Sequence, residues 1–191
     1  MKTLVDLSKS IEYRAYLQKI IQVEFIAVKN NLIQAFQNHP ITKEINAGPD
    51  AENTSGTLGG YGNLFSFIGF EKSDKPTQII ELMLEEIEMG NILIKKNGQF
   101  NVVVKYPKPR DIFAVTPMPW AEGRSWAKGI ESGISGLGKY LNKDFSSSRS
   151  GGGIQSKSKQ KNGKFRNTTY ISKLIFDFEQ DILRINKMII K

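Results

Sequence analysis

The chain has 191 residues, with 27 Lys plus Arg against 19 Asp plus Glu, one His and no Cys, so its formal net charge is +8. That length suits a single domain over 1–191 with a core of its own, about 70% of the unfolded surface being buried at this size. The missing Cys excludes disulfides, iron–sulfur clusters, thiolate zinc sites and cysteine nucleophiles, and the solitary His39 excludes any site built on two imidazoles.

No window reaches the roughly 18 apolar residues of a membrane span, and Met1 to Asp6 turns acidic too soon for a secretory signal. The sequence therefore predicts a soluble, unsecreted protein in a reducing compartment. Its charge is uneven: residues 1–100 hold 10 basic and 12 acidic side chains, whereas residues 101–191 hold 17 and 7. The excess concentrates between Asp144 and Asp177, an interval without any carboxylate side chain.

In chain order, residues 10–38 place Leu17, Ile21, Phe25, Val28, Leu32 and Phe36 at steps of four, four, three, four and four, the spacing of one helix face. Ile20, Val23, Ile26 or Ala27, and Ile33 form a second row, so this helix needs cover on more than one side, from its own domain or from a neighbouring subunit. His39 and Pro40 end it, because the residue before proline is driven out of the helical region. Residues 46–63 read as a long, mobile or partner-ordered loop with Gly56, Gly59, Gly60 and Gly62. Leu64, Phe65, Phe67 and Phe70 suggest a short aromatic strand. Pro76 then opens a helix reaching about Met89, closed by Gly90 and Asn91.

β-rich runs flank Asn97 and Gly98, the signature of a type I′ hairpin, and a third strand over residues 112–116 completes an antiparallel meander. Residues 121–141 form a glycine-punctuated helix candidate, and residues 144–167 a flexible basic arm rich in Ser, Gly and Lys. A terminal helix follows over residues 170–189. In it Ile171, Ile175, Phe178, Ile182, Ile185 and Ile189 alternate steps of four and three, a heptad seam. Ile171, Ile175, Phe178 and Ile182 are therefore expected to meet a second copy of the chain. Trp120 and Trp126, beside Pro117, Pro119 and Arg124, suit an interface anchor as well as they suit a core.

Three groupings invite a chemical interpretation. Gly133, Gly138 and Lys139 nearly spell the phosphate-binding P-loop, but Tyr140 stands where magnesium needs Ser or Thr, and residues 126–129 lack the strand that should precede it. Glu81 and Glu85 lie one helical turn apart with Glu86 and Glu88 close by, a pattern that can hold a metal and that also makes a solvated face. His39 has no nucleophile beside it and is expected to cap a helix end. No catalytic residue, metal ligand or cofactor is assigned. Arg149, Lys157, Lys159, Lys161, Lys164 and Arg166 would gain affinity for phosphates by releasing counterions, without reading sequence. They are expected to contact nucleic acid or an acidic partner.

The order of these parts is a long first helix at 10–38, a glycine loop at Ser55, Gly56, Thr57, Leu58, Gly59 and Gly60, the meander of Ile92 to Thr116 and a terminal helix at 170–189. That layout resembles the tail-completion or head–tail joining (neck) proteins of tailed bacteriophages. The resemblance implies an α+β fold assembled as an oligomeric ring between capsid portal and tail. Portal, connector or tail proteins would be its neighbours, packaged DNA would be within reach, and its location would be the virion or, during assembly, the host cytoplasm. The segment around Arg124 and Trp126 and the basic arm have no place in that pattern.

The sequence thus leads to a non-enzymatic, oligomeric α+β protein, its long N- and C-terminal helices packed with a small antiparallel meander and joined by long Gly-rich loops. Two rivals stand beside it. One is a nucleic-acid-binding protein that uses residues 149–166 directly. The other is an enzyme with a carboxylate metal site at Glu81, Glu85 and Glu88.

Overall fold

Ser10 opens the described fold: its hydroxyl accepts a hydrogen bond from the Tyr13 amide at 3.5 Å, and helix α1 runs Ile11–Asn38. The coordinates are a computed structural model that describes residues 10–59, 62–94, 100–119, 121–133 and 165–188. Leu17, Ile21, Phe25, Leu32 and Phe36 bury the inner face of α1, as their spacing predicts. His39 takes an extended conformation and ends the helix. Pro40 then starts α2 (Pro40–Asn46) at the position where its missing N–H costs nothing. The His39 Nδ1 accepts the Ile41 amide at 3.3 Å, so the imidazole caps the new helix. Burial holds its pKa below the ordinary 6.5, which keeps that nitrogen free to accept.

The segment after α2 is ordered by its own chain. Glu44, only 1% exposed, turns its carboxylate onto the amides of Leu64 (2.7 Å) and Ser55 (2.8 Å). Asn63 donates to the carbonyls of Pro49 (2.7 Å) and Ala51 (3.1 Å), and its own carbonyl oxygen accepts the Ser66 amide (2.9 Å). That last bond caps α3 (Leu64–Ile68), and Gly69 at φ 90 closes it in the left-handed region. The aromatic strand expected here is therefore a short helix, with Leu64, Phe65, Phe67 and Ile68 all buried.

Helix α4 (Gln78–Glu85) is shorter than predicted. The Lys29 ammonium donates to the carbonyls of Glu85 (2.5 Å) and Ile87 (3.0 Å), satisfying the end of the helix, and strand β1 (Glu88–Ile94) begins at once. Gly90 and Asn91 are not a helix stop; the register of β1 shifts between Met89 and Ile92, and a Cβ on Gly90 would sit 3.3 Å from the Val103 carbonyl. Strand β2 (Phe100–Lys105) pairs antiparallel with β1, which is the hairpin the sequence predicts. A two-residue turn on Asn97 and Gly98 would set Ile94 opposite Asn101, whereas Ile94 pairs with Phe100. The displacement sets Ile92 beside the buried Val102 and leaves Leu93 in solvent, the outcome that burial favours. The turn residues lie outside the described residues.

No third strand follows. Residues 109–114 form helix α5 (Pro109–Ala114), and the next strands, β3 (Pro117–Met118) and β4 (Ala121–Ser125), make a separate two-stranded sheet. The predicted meander is thereby replaced by two hairpins with a helix between them. The helix candidate at 121–141 is likewise part strand: only α6 (Trp126–Ser132) is helical among its described residues. Helix α7 (Ile171–Met188) then lies along α1 and across β2, where the Val102 amide donates to Asn186 at 2.9 Å. Fold class is α+β, and side chains from α1 through α7 meet in one continuous core.

Candidate polyanion-binding face

Pro109 at the first turn of α5 and Asp111, whose carboxylate accepts the Lys108 amide at 2.9 Å, start that helix. Arg110, Phe113 and Ala114 then share one face, three and four residues apart. Thr116 clamps the end of α5 to the junction of β4 and α6. Its hydroxyl donates to the Ile112 carbonyl (3.0 Å) and lies 2.7 Å from the Ser125 hydroxyl, and its carbonyl accepts the Trp126 amide at 2.9 Å. Gly123, at φ 70, makes the bend in β4 just before Arg124, and Ser125 caps α6 by accepting the Lys128 amide at 3.1 Å.

These bonds leave a concavity of about 370 Å³ lined by Arg110, Phe113, Pro117, Arg124, Ser125 and Lys128. A second, of about 230 Å³, shares Arg124, Ser125 and Lys128 and reaches Ser132 and Gly133. Arg110, Arg124 and Lys128 are exposed. Elsewhere Lys108, Lys173 and Arg184 pair with Glu179, Asp177 and Asp181. No carboxylate of the described residues comes within 4.0 Å of the charged groups of Arg110, Arg124 or Lys128. Asp111, Glu122 and Glu131, the acidic residues of the same elements, line neither concavity. Another concavity, of about 510 Å³, carries both signs of charge through Glu71, Asp74 and Lys75.

The roots of the basic segment adjoin this cationic end. Gly133 closes α6 at φ 87, and a Cβ there would lie 3.1 Å from the Asn167 side-chain oxygen. The Thr168 amide donates to the Ile130 carbonyl (3.2 Å), the Arg166 amide donates to the Thr57 carbonyl (2.8 Å), and Phe165 stacks on Phe67 with centroids 5.7 Å apart. The described residues on either side of residues 134–164 are thus neighbours. Of the predicted contact residues, Arg149, Lys157, Lys159, Lys161 and Lys164 lie outside the described residues, and Arg166 is exposed beside the root. The near P-loop loses its context, because a helix and not a strand precedes Gly133.

The residues assigned to an oligomer interface are placed differently. Ile171, Ile175 and Phe178 are at most 2% exposed, Ile182 is 9% and Trp126 is 1%, all inside the chain's own core. The heptad seam of α7 has found its partner in α1 and β2 of the same chain, so these five are core residues; Trp120 lies outside the described residues. Glu131 secures the start of α7, accepting the amides of Tyr170 (3.2 Å) and Ser172 (2.7 Å) and the Ser172 hydroxyl (2.6 Å). The buried Tyr170 hydroxyl, its pKa pushed well above 10.0 by desolvation, stays neutral and lies 2.6 Å from Thr42 Oγ1.

Of the second row of α1, Ile33 packs against the core, and among the described residues the first half of the helix keeps an open outer surface. Tyr16 is 62% exposed, Val23 60% and Ile26 47%, with Ile20 half-buried and Ala27 exposed beside them. The carboxylate row is broken: Glu81 and Glu85 stand on α4, whereas Glu88 belongs to β1. Among the described residues no three His, Asp or Glu side chains gather as metal ligands would, and no helix is long and apolar enough to cross a membrane. The cation cluster escaped sequence reasoning because it depends on α5 being a helix; Pro109 followed by Asp111 was the available signal. No family model matches this chain, and neither curated proteins nor solved structures give a significant match.

Proposed function

We propose that this chain is a non-catalytic assembly protein that oligomerises through the outer face of α1 and turns its cationic end towards nucleic acid. The assembly it suits is the ring of a tailed-phage head–tail connector, whose order of long helix, loop, small antiparallel sheet and further helices it resembles, with two hairpins standing where the meander was expected. The observation that carries the oligomer is the row Tyr16, Ile20, Val23 and Ala27, spaced four, three and four along α1, in which Tyr16, Val23 and Ala27 are exposed and Ile20 half-buried among the described residues. Single exposed apolar side chains need no explanation, but a continuous row on one helix marks a contact, and this spacing is that of a helix–helix seam. A second copy is the occupant that carries the matching row.

The test is the solution mass of the full chain. Oligomers should form, and the Val23→Glu, Ile26→Glu double variant should return them to monomers that keep the helix content of the wild type, with a melting temperature that no longer depends on concentration. A wild-type chain that stays monomeric at its highest soluble concentration would remove the oligomer, and purified tailed particles lacking the chain would remove the connector. A second reading, a monomeric nucleic-acid-binding protein, is favoured by the unpaired Arg110, Arg124 and Lys128; it keeps the cationic end and dispenses with the ring.

A further inference from the structure

We infer that the concavity between α5 and the β4–α6 junction is a phosphodiester-binding site, with Arg110, Arg124 and Lys128 as its ligands. The inference rests on the proposal that this end faces nucleic acid, and it assigns a site to residues other than 134–164.

Three cations line one depression of about 370 Å³ without a described carboxylate to neutralise them. Like charges gathered this way repel, and an anion that enters relieves the repulsion as well as gaining attraction. Two of the three are arginines, whose planar forks present paired N–H donors to two oxygens of one phosphate, while the lysine adds a compact charge. Position adds a further constraint. Lys128 and Arg124 also line the adjoining depression that reaches Gly133, where the segment carrying Lys139, Lys143, Arg149, Lys157, Lys159, Lys161 and Lys164 departs.

A ligand that engages both must be long and uniformly anionic. An acidic protein would also need apolar area to dock on, and the lining offers only Phe113, Ala114 and Pro117. The backbone of a nucleic acid meets the requirement without base recognition. Phe113, half-buried in the lining of the same depression, offers its ring to a sugar or base beside the bound phosphate.

The experiment measures binding of the full chain to a short labelled DNA duplex of arbitrary sequence across a salt series. Two variants accompany the wild type: Arg110→Gln, Arg124→Gln, Lys128→Gln, and separately Lys157→Gln, Lys159→Gln, Lys161→Gln, Lys164→Gln. The first should weaken binding about tenfold or more at low salt. It should also lower the slope of log affinity on log salt by about 2 to 3, one phosphate contact contributing about 0.9. The second should leave the share of the slope that the first removes.

A first variant that binds like the wild type, while the second loses binding, would overturn the site and leave the cationic segment as the contact. Displacement by polyglutamate as effective as displacement by unlabelled duplex would reassign the depression to a carboxylate-bearing partner and overturn it equally. No binding by the wild type would sink the site together with the nucleic-acid-facing end. The oligomer is judged separately by solution mass, which the first variant should leave unchanged, as it should the melting temperature.

Discussion

The two long helices, α1 and α7, read alike in sequence and are used differently. Helix α7 has one apolar face, and Ile171, Ile175, Phe178, Ile182 and Ile185 bury it inside the chain. Its outer face carries the ion pairs Lys173–Asp177 and Arg184–Asp181, with Phe176 and Leu183 standing singly among them. Helix α1 has two apolar faces, and the described residues bury the one that holds Leu17, Ile21, Phe25, Leu32 and Phe36 while leaving Tyr16, Val23 and Ile26 exposed. Even along α1 the outer surface changes, from Tyr16, Val23 and Ile26 in its first half to Asn30, Asn31, Gln34, Gln37 and Asn38 in its second. A heptad-like spacing announces that a helix has a partner and is silent on whose chain supplies it. The number of apolar faces is the better guide: one face is satisfied within the fold, and a second face points outside.

That contrast is broken most directly by truncating one side chain from each face. Phe178→Ala should cost about 3–5 kcal/mol in denaturant unfolding, as large aromatic deletions from packed cores do. Val23→Ala should stay within about 0.5 kcal/mol, as exposed positions do, and should alter the solution mass instead. The reverse pattern would mean that α1 packs by its outer row and α7 does not pack by its seam.

A smaller effect sharpens the account of why α7 is sealed. Glu131→Ala removes the acceptor for two amides and a hydroxyl at the start of that helix. Leaving such donors unmet costs about 1–3 kcal/mol, and amide exchange should rise first at Tyr170 and Ser172.

The smallest effect lies where the two helices meet, at His39, whose ring lies 4.7 Å from that of Tyr170. Its folded pKa lies below the 6.5 of the unfolded chain because burial disfavours the imidazolium. Unfolding therefore takes up a proton: the stabilising contribution is complete above 6.5 and is lost as the pH falls from there towards the folded value. Thermal melts between about pH 7 and 5 should show this decline. His39→Asn, which keeps a side-chain acceptor for the Ile41 amide, should flatten it.

Spacing made α1 and α7 legible because each repeats its apolar step over several turns. Short elements were misread where composition outweighed capping. Residues 64–68 look like strand by their aromatics, yet Asn63 and Gly69 bracket them as an N-cap and a left-handed C-cap. Ile112, Val115 and Thr116 are β-branched, yet Pro109 and Asp111 begin a helix ahead of them. Gly90 and Asn91 looked like a stop and form a bulge, since Ile87 must return to the core directly after α4. The placement of residues 47–59, 62 and 63 depends on Glu44 reaching Ser55 and Leu64, a convergence that no local pattern records. The cation cluster was hidden for a related reason: the Thr116–Ser125 contact brings Arg110 to Arg124 and Lys128, and the sequence shows only three scattered basic residues.

The contact between Gly133 and Asn167 has a topological consequence. The end of α6 and the start of α7 are held side by side by this approach and by the bond from the Thr168 amide to the Ile130 carbonyl. Helix α7 therefore has a non-covalent tether to α6 beside the covalent one, so it is anchored at its start as well as along its length against α1.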